Sequence, residues 1–156
     1  MTEVYVLLGV LIVATAFGLW RRQTDGRMRV VDDSEPLIVD GHPVEVADHS
    51  VVPAADMLGA QDIGAALGER ATLVQFSSAF CTPCRATRVV LGDVATMVDG
   101  VTHVEIDAEA HLDLVRRLDV TRTPTVLVLD GAGRIRSRAT GAPRKADVIA
   151  ALGEVI

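Results

Sequence analysis

Two cysteines, Cys81 and Cys84, stand three positions apart and are the only cysteines of the 156-residue chain. A short apolar run over 72–77 predicts a buried strand before them, and apolar residues at helical spacing over 84–98 predict a helix after them. The pair therefore falls where a strand passes into a helix. Unpaired backbone N–H groups and the helix dipole stabilise a thiolate at a helix N-terminus. This placement predicts thiol–disulfide exchange.

The two cysteines are predicted to play different parts. Cys81 lies at the helix N-terminus and is the more exposed, whereas Cys84 lies one turn further on and is the more buried. Cys81 then attacks a partner disulfide to form a mixed disulfide, and Cys84 resolves it and releases the reduced partner. Pro83 suits the first helical turn, where no N–H donor is needed, and Arg85 adds a positive charge nearby. The redox-active disulfide is itself the reactive group, so no bound cofactor is predicted.

A zinc or iron–sulfur site is one alternative use of such a pair. These sites usually need four ligands, and the chain has no further cysteine. Its histidines lack the paired spacing of a zinc finger; they are His42, His49, His103 and His111. A purely structural disulfide is another alternative, but a loop closed over two residues constrains little unfolded-chain entropy. The sequence therefore predicts redox chemistry and no metal.

Composition limits the class of protein further. A net charge of −6 and a pI near 5.1 argue against a nucleic-acid-binding surface, which would need a basic patch. Hydrophobic residues make up 49% of the chain and aromatic residues only 3%, so the core must be aliphatic. The length fits one domain of roughly 100 residues with an appendage.

The periodicity after residue 54 predicts alternating helices and strands. The predicted helices are 54–67, 84–98, 109–118 and 144–155, and the predicted strands are 72–77, 101–107, 125–129 and 134–139. Alternation of this kind argues for a central sheet that is covered on both faces. A turn over 130–133 joins the last two strands into a hairpin, which makes the sheet mixed.

The N-terminal stretch 4–20 contains 17 residues without a charge. As a helix it would be roughly 25 Å long, and flanking arginines can snorkel to cover a hydrocarbon core of about 30 Å. Tyr5 and Trp20 stand at its two ends, where interfacial aromatic residues belong. The sequence therefore predicts a transmembrane anchor over 1–20. The alternatives are a buried core helix and a cleavable signal peptide; against the latter, no basic residue precedes the apolar run.

Residues 21–53 are predicted to be a polar juxtamembrane linker before a domain over 54–156. Short strands over 37–39 and 44–46 are predicted to dock on that domain. Because the basic residues follow the apolar stretch, the positive-inside rule predicts a single-pass protein with its catalytic domain in the cytoplasm. An extracytoplasmic domain is the alternative.

The segment Gln75 to Arg85, which reads QFSSAFCTPCR, resembles the active-site segment of the thioredoxin superfamily. Thr123-Pro124, directly before an apolar strand, is a second element of the same resemblance, which covers roughly residues 54–156. It implies a thioredoxin-like α/β three-layer sandwich with a central mixed sheet, here preceded by one transmembrane helix. It also implies that Pro124 is cis and lies against the disulfide, and that Thr123 presents backbone groups to an extended substrate.

Three positions depart from the family pattern. Gln75 replaces a buried aspartate that helps to move the proton of the second cysteine, and an amide cannot act as a base at neutral pH. Phe80, expected to contact substrate, stands where tryptophan is usual. His103 replaces a common lysine, so His103 or Glu105 is predicted to take over part of the proton handling. The missing aspartate favours a dedicated partner over general disulfide reduction.

The predicted function is thiol–disulfide exchange at a membrane surface, with protein thiols or disulfides as substrates and a reducing or oxidising partner protein. A cytoplasmic domain would act as a reductant, and an outward-facing one would serve disulfide traffic or cytochrome maturation. One alternative is a thiol peroxidase, although Cys81 stands where those enzymes need threonine. The other is a non-enzymatic, membrane-anchored module that binds a metal or a membrane partner.

Overall fold

Helices and strands form at most of the positions that the apolar pattern predicts. The computed structural model describes residues 2–24, 26–31, 38–39, 42–43 and 56–156. The helices are α1 (Thr2–Thr24), α2 (Ala60–Ile63), α3 (Thr82–Met97), α4 (Leu112–Arg117) and α5 (Lys145–Gly153). The strands are β1 (Met28–Val30), β2 (Ile38–Val39), β3 (His42–Pro43), β4 (Ala71–Ser77), β5 (Val101–Asp107), β6 (Thr125–Asp130) and β7 (Ile135–Thr140).

Five of the strands form one sheet in the order β1-β7-β6-β4-β5. β4 and β5 are parallel and are joined through α3, whereas the other neighbouring pairs are antiparallel. The sheet is therefore mixed, as predicted. All seven residues of β4 are buried because the strand has neighbours on both sides and helices over both faces. The C-terminal ends of β4, β5 and β7 lie at one end of the sheet, together with the N-terminal ends of β6 and β1.

The helices cover both faces of the sheet and divide the aliphatic core into two clusters. On one face, Leu91 of α3 and Leu152 of α5 belong to the buried cluster. On the other face, Ile63 of α2 and Leu114 of α4 pack in the cluster that contains Phe76 of β4. This arrangement confirms the predicted thioredoxin-like α/β fold and determines which strand residues face α3.

Two segments before the central strand differ from the prediction. The helix predicted over 54–67 is limited to Ala60–Ile63, because Gly59 is extended and Gly64 adopts a left-handed conformation with φ 68°. Within the predicted linker, β1 pairs with β7 and becomes an edge strand of the main sheet. β2 pairs with β3 in a separate two-stranded sheet, and the strand predicted over 44–46 lies outside the described residues.

The N-terminal helix requires a correction. Among the residues whose placement is described, no helix is both long enough and apolar enough to cross a membrane, so the predicted transmembrane anchor is not supported. The stretch of α1 whose side chains are described, 5–20, measures about 24 Å as a helix, whereas a hydrocarbon core is about 30 Å thick. All of these side chains are exposed.

Candidate active site

The N-terminus of α3 is built around the two cysteines. Cys81 is the N-cap residue, with extended backbone angles, and the backbone N–H of Cys84 donates to its Sγ at 3.2 Å. Pro83 lies in the first turn, where its missing N–H leaves no carbonyl unpaired. The sulfur of Cys81 thus already accepts a helix N-terminal N–H bond. This is the environment that stabilises negative charge on sulfur.

The two cysteines are joined by a disulfide and differ in their exposure. The S–S distance is 2.01 Å and the Cα atoms are 5.2 Å apart. Cys84 is 2% exposed, whereas Cys81 is half-buried at the edge of the loop. Of the two, Cys81 is therefore the one that a partner protein can reach.

The loop before β6 lies beside the loop that carries Cys81. The Thr123–Pro124 peptide bond is cis and Pro124 is buried. The carbonyl of Pro124 accepts the N–H of Gly141 at 2.8 Å, and the hydroxyl of Thr123 is hydrogen-bonded to that of Ser78 at 3.0 Å. The structure thus brings Thr123 to the segment that leads into the cysteine pair.

Phe80 is the most exposed large apolar side chain near the disulfide. It is 98% exposed and directly precedes Cys81. An aromatic ring in this position offers a large apolar contact area at low conformational cost. Its placement fits a contact with an incoming protein.

A buried amide lies against the second cysteine. Gln75 is fully buried, and its Nε2 donates to the carbonyl of Cys84 at 2.9 Å and to the hydroxyl of Ser77 at 2.7 Å. A carbonyl can only accept hydrogen bonds, so the bond to Cys84 fixes the orientation of the amide. Its Oε1 is buried without a hydrogen-bond partner among the described residues.

Glu105 lies beside Gln75 because β4 and β5 pair these two residues in register. Its Oε1 is 3.5 Å from Nε2 of Gln75, and the guanidinium of Arg88 donates to both carboxylate oxygens, at 2.5 and 2.8 Å. The hydrogen bond from Arg88 lowers the pKa of Glu105, and a hydrogen bond from Ser77 acts in the same direction. Glu105 is therefore held as a carboxylate, with its side chain 25% exposed.

His103 lies on the same face of β5, opposite Leu73 and two residue pairs further from the cysteines than Glu105. Burial lowers the pKa of His103, which outweighs the opposing effect of the Glu105 charge. The ring is therefore neutral at pH 7, and its Nε2 is buried with no hydrogen-bond partner in the described part of the chain. The structure places His103 near Glu105 and not at the disulfide.

A groove of about 540 Å³ runs beside the disulfide. Its lining consists of both cysteines, Ser77, Ser78, Ala79, Arg85, Arg88, Glu105 and Asp107. The buried Cys84 and the carboxylate of Glu105 thus line the same groove. The sequence analysis did not identify Ser77 or Arg88 as residues of the site. For Arg88 a signal was available, because residues four apart on one helix, such as Cys84 and Arg88, lie on the same face.

No group of three or more His, Cys, Asp or Glu side chains in the described residues is arranged to hold a metal ion.

Comparisons with known proteins agree with this architecture. The sequence model of the Thioredoxin family matches residues 61–154, more than half of the chain. No curated protein matches the chain significantly in sequence. Among solved structures, chloroplastic thioredoxin z is 25% identical, with a TM-score of 0.50, over 56% of this chain and 79% of that chain.

Two further structures share the fold. Fasciola hepatica thioredoxin is 19% identical with a TM-score of 0.50, over 57% of this chain and 84% of that chain. A mutant thioredoxin from Halobacterium salinarum is 16% identical with a TM-score of 0.51, over 56% and 75% of the respective chains. The chain belongs to the thioredoxin family. The family and the close cysteine pair together support a thiol–disulfide oxidoreductase.

Proposed function

We propose that this protein exchanges disulfides with partner proteins through Cys81 as the attacking cysteine and Cys84 as the resolving cysteine. The observation that carries this proposal is the difference in exposure between the two sulfurs at the N-terminus of α3. The disulfide itself stores the oxidising equivalents, so no bound cofactor is required.

In the reducing direction, the Cys81 thiolate attacks one sulfur of a partner disulfide. The partner's S–S bond breaks, a mixed disulfide forms, and the leaving sulfur takes up a proton. Cys84 then loses its proton and attacks the sulfur of Cys81, which releases the second partner thiol and closes the internal disulfide. Two electrons and two protons pass to the partner, and the oxidising direction is the reverse of these steps. A separate partner protein must then reduce or oxidise the cysteine pair again.

The surface around Cys81 supports a protein substrate. Phe80 offers an exposed apolar contact, and the backbone of Thr123 beside the buried Pro124 is available to pair with an extended segment. These three residues are proposed to bind the substrate strand.

Proton handling at Cys84 is proposed to run through the groove. Gln75 cannot titrate, so it positions Ser77 and the carbonyl of Cys84 through its two hydrogen bonds. Glu105 lines the same groove as Cys84 and can take the proton of its thiol through a water molecule. Neutral His103, its neighbour on β5, is the second candidate acceptor.

Residues 4–20 are proposed to associate the domain with a membrane surface, and the domain is proposed to lie on the cytoplasmic side of that membrane. A helix that is apolar all round and exposed to solvent needs an apolar environment. A C-terminal tag probed with protease on cells stripped of their wall tests the location. A protected tag supports a cytoplasmic reductant, and a digested tag supports extracytoplasmic exchange.

The redox proposal is tested with single serine variants. Cys84→Ser should accumulate a mixed disulfide with partner proteins, because resolution is blocked, whereas Cys81→Ser should form none. Both variants should lose turnover in an insulin-reduction assay with an added dithiol. Turnover that survives in the Cys81→Ser/Cys84→Ser double variant would leave only a binding role for this domain.

A further inference from the structure

The oxygen of the buried Gln75 amide has no hydrogen-bond partner among the described residues, although the nitrogen of the same amide has two. Gln75 is fully buried on the central strand β4. A buried polar atom without a partner is destabilising, because it has lost its bonds to water and gained none in return. The oxidised structure therefore contains an unused hydrogen-bond acceptor within the site.

The hydrogen bonds of the amide nitrogen restrict where this oxygen can lie. Nε2 of Gln75 donates to the carbonyl of Cys84 at 2.9 Å, and a carbonyl can only accept, so the amide cannot be turned round. Bond lengths keep the nitrogen and the oxygen of one amide at most about 2.6 Å apart. Oε1 therefore lies within about 5.5 Å of the carbonyl oxygen of Cys84.

The strand register shows to which side of the sheet the oxygen is turned. Gln75 lies between Glu105 of β5 and Val126 of β6. Its Nε2 is 3.5 Å from Oε1 of Glu105, so the nitrogen is turned towards β5 and the oxygen away from it. On the other side lies β6, and the loop before β6 is bonded to the cysteine loop through the hydroxyls of Thr123 and Ser78 at 3.0 Å. The unused acceptor is thus turned towards the side of the disulfide.

Reduction of the disulfide creates a hydrogen-bond donor at Cys84. Two thiols of a reductant supply two electrons and two protons, the bond between Cys81 and Cys84 breaks, and the reductant leaves as a disulfide. Cys84 is 2% exposed, where a charged thiolate would be costly, so its sulfur is present as S–H. Sγ of Cys81 already accepts the backbone N–H of Cys84 at 3.2 Å, whereas Oε1 of Gln75 accepts nothing. A bond from the thiol to Gln75 therefore removes the larger penalty.

We propose that Oε1 of Gln75 accepts a hydrogen bond from the thiol of Cys84 once the disulfide is reduced, and that Gln75 thereby favours the reduced form. The proposal rests on the proposed function, in which Cys84 is the resolving cysteine. Gln75 is a positioning residue in this role, since an amide cannot take up the proton. An interaction made only in the reduced form raises the reduction potential. The same bond forms in the mixed disulfide, where it delays the loss of the Cys84 proton and prolongs the contact with the partner.

The first test measures the equilibrium of the full chain with reduced and oxidised glutathione. Gln75→Leu removes the unpaired oxygen from the oxidised form and the thiol bond from the reduced form. It should lower the equilibrium constant for reduction about fivefold, which is about 21 mV for a two-electron couple. Gln75→Met keeps the unbranched shape and has a much weaker acceptor, so it should give the same shift and replaces leucine if that variant does not fold.

Thr87→Val is the matched control, because it also removes a buried polar group close to Cys84. The hydroxyl of Thr87 already donates to the carbonyl of Pro83 at 3.0 Å in the oxidised structure. Its loss should therefore destabilise both redox forms equally and leave the reduction potential unchanged.

The second test observes the thiol itself. Cys81→Ala leaves Cys84 as the only thiol of the chain, so the S–H stretching band in the infrared spectrum belongs to Cys84 alone. This band should lie at the lower frequency of a hydrogen-bonded thiol. It should move to higher frequency when Gln75→Leu is added and should stay in place when Thr87→Val is added.

An equal equilibrium constant in Gln75→Leu and the native chain would overturn the proposal, and so would an S–H band that does not respond to Gln75→Leu. Either result would mean that the amide oxygen is satisfied equally in both redox forms, as by a buried water molecule. Capture of partner proteins by Cys84→Ser reports the proposed function separately. Capture together with an unchanged equilibrium constant would refute only the role of Gln75, whereas no capture would refute disulfide exchange itself.

Discussion

Gln75 is a buried amide with one oxygen that has no partner in the described structure. The sequence identified the residue as a departure from the family pattern, but it did not reveal its contacts. These depend on the register of β4 against β5, which places Glu105 beside it, and no local pattern in either strand encodes that register. For Arg88, the helical spacing from Cys84 was visible in the sequence, but its ion pair with Glu105 was not, because that pair joins a helix to a strand.

Gln75→Leu should stabilise the oxidised protein while impairing exchange. An unpaired buried amide oxygen costs roughly 1–3 kcal/mol, and leucine removes it at similar volume. The former partners keep other bonds, since Ser77 also bonds Glu105 and the carbonyl of Cys84 lies inside α3. The free energy of unfolding in urea should therefore rise by about 1 kcal/mol. The control is Gln61→Leu at an exposed position, which should change the free energy of unfolding by less than about 0.5 kcal/mol. A clear loss of stability in Gln75→Leu would mean that the two amide hydrogen bonds outweigh the unpaired oxygen.

Arg88→Gln should raise the pKa of Glu105, because the hydrogen bond from Arg88 is the main cause of its low value. A depressed pKa in the folded state means that the unfolded chain binds this proton more tightly. The stabilisation is therefore complete above the ordinary carboxyl range and is lost as pH falls through the folded pKa. Carboxyl NMR titration should show the rise, and the variant should lose less stability between about pH 5 and about pH 3. The control variant Arg116→Gln should change neither the pKa of Glu105 nor the pH dependence of stability. An unchanged pKa of Glu105 in Arg88→Gln would show instead that the hydrogen bond from Ser77 causes the low value.

At the scale of elements, the sequence was most informative where apolar periodicity is strong. The strand predicted over 101–107 is observed as Val101–Asp107, and the helix predicted over 84–98 is observed as Thr82–Met97. β1 was missed because a strand of three residues, Met28–Val30, is too short to show a periodic pattern, and its partner β7 lies more than 100 residues away. Pairing over such a distance leaves no local signal.

The contribution of β1 can be measured with proline. The N–H of Val31 donates to the carbonyl of Arg136 at 3.0 Å, so Val31→Pro removes a bond between the edge strand and β7. We expect a loss of about 1 kcal/mol in the free energy of unfolding. Val30→Pro is the control, because alternation along an antiparallel strand directs the N–H of Val30 away from β7. Equal losses in both variants would show that the effect arises from proline itself and not from the bond.

At the scale of the whole molecule, the position of β1 shifts the predicted start of the folded domain from 54 towards 26. A chain of residues 26–156 should match the full chain in denaturation midpoint and in thiol exchange. A chain of 54–156 should be less stable by about 2 kcal/mol, since it loses several β1–β7 backbone hydrogen bonds. It should also aggregate more readily, because β7 becomes an open edge. Equal stability of the two truncated chains would refute a structural role for β1.

The topology also limits what can reach the disulfide. The start of β1 and the cysteine loop lie at the same end of the sheet, and only β7 and β6 separate β1 from β4. At about 4.8 Å between strands, this lateral distance is roughly 14 Å. A large partner that binds at Cys81 would therefore also come close to the start of β1.

The distribution of aromatic residues has an optical consequence. The single tryptophan and the single tyrosine of the chain, Trp20 and Tyr5, both lie in α1, and the Trp20 ring is 5.9 Å from that of Phe17. The redox domain thus contains no indole or phenol. Tryptophan fluorescence will therefore report only the surroundings of the helix. It will not change when the disulfide opens or when the sheet unfolds. Emission that shifts on adding lipid, but not on adding dithiol, would record the helix alone.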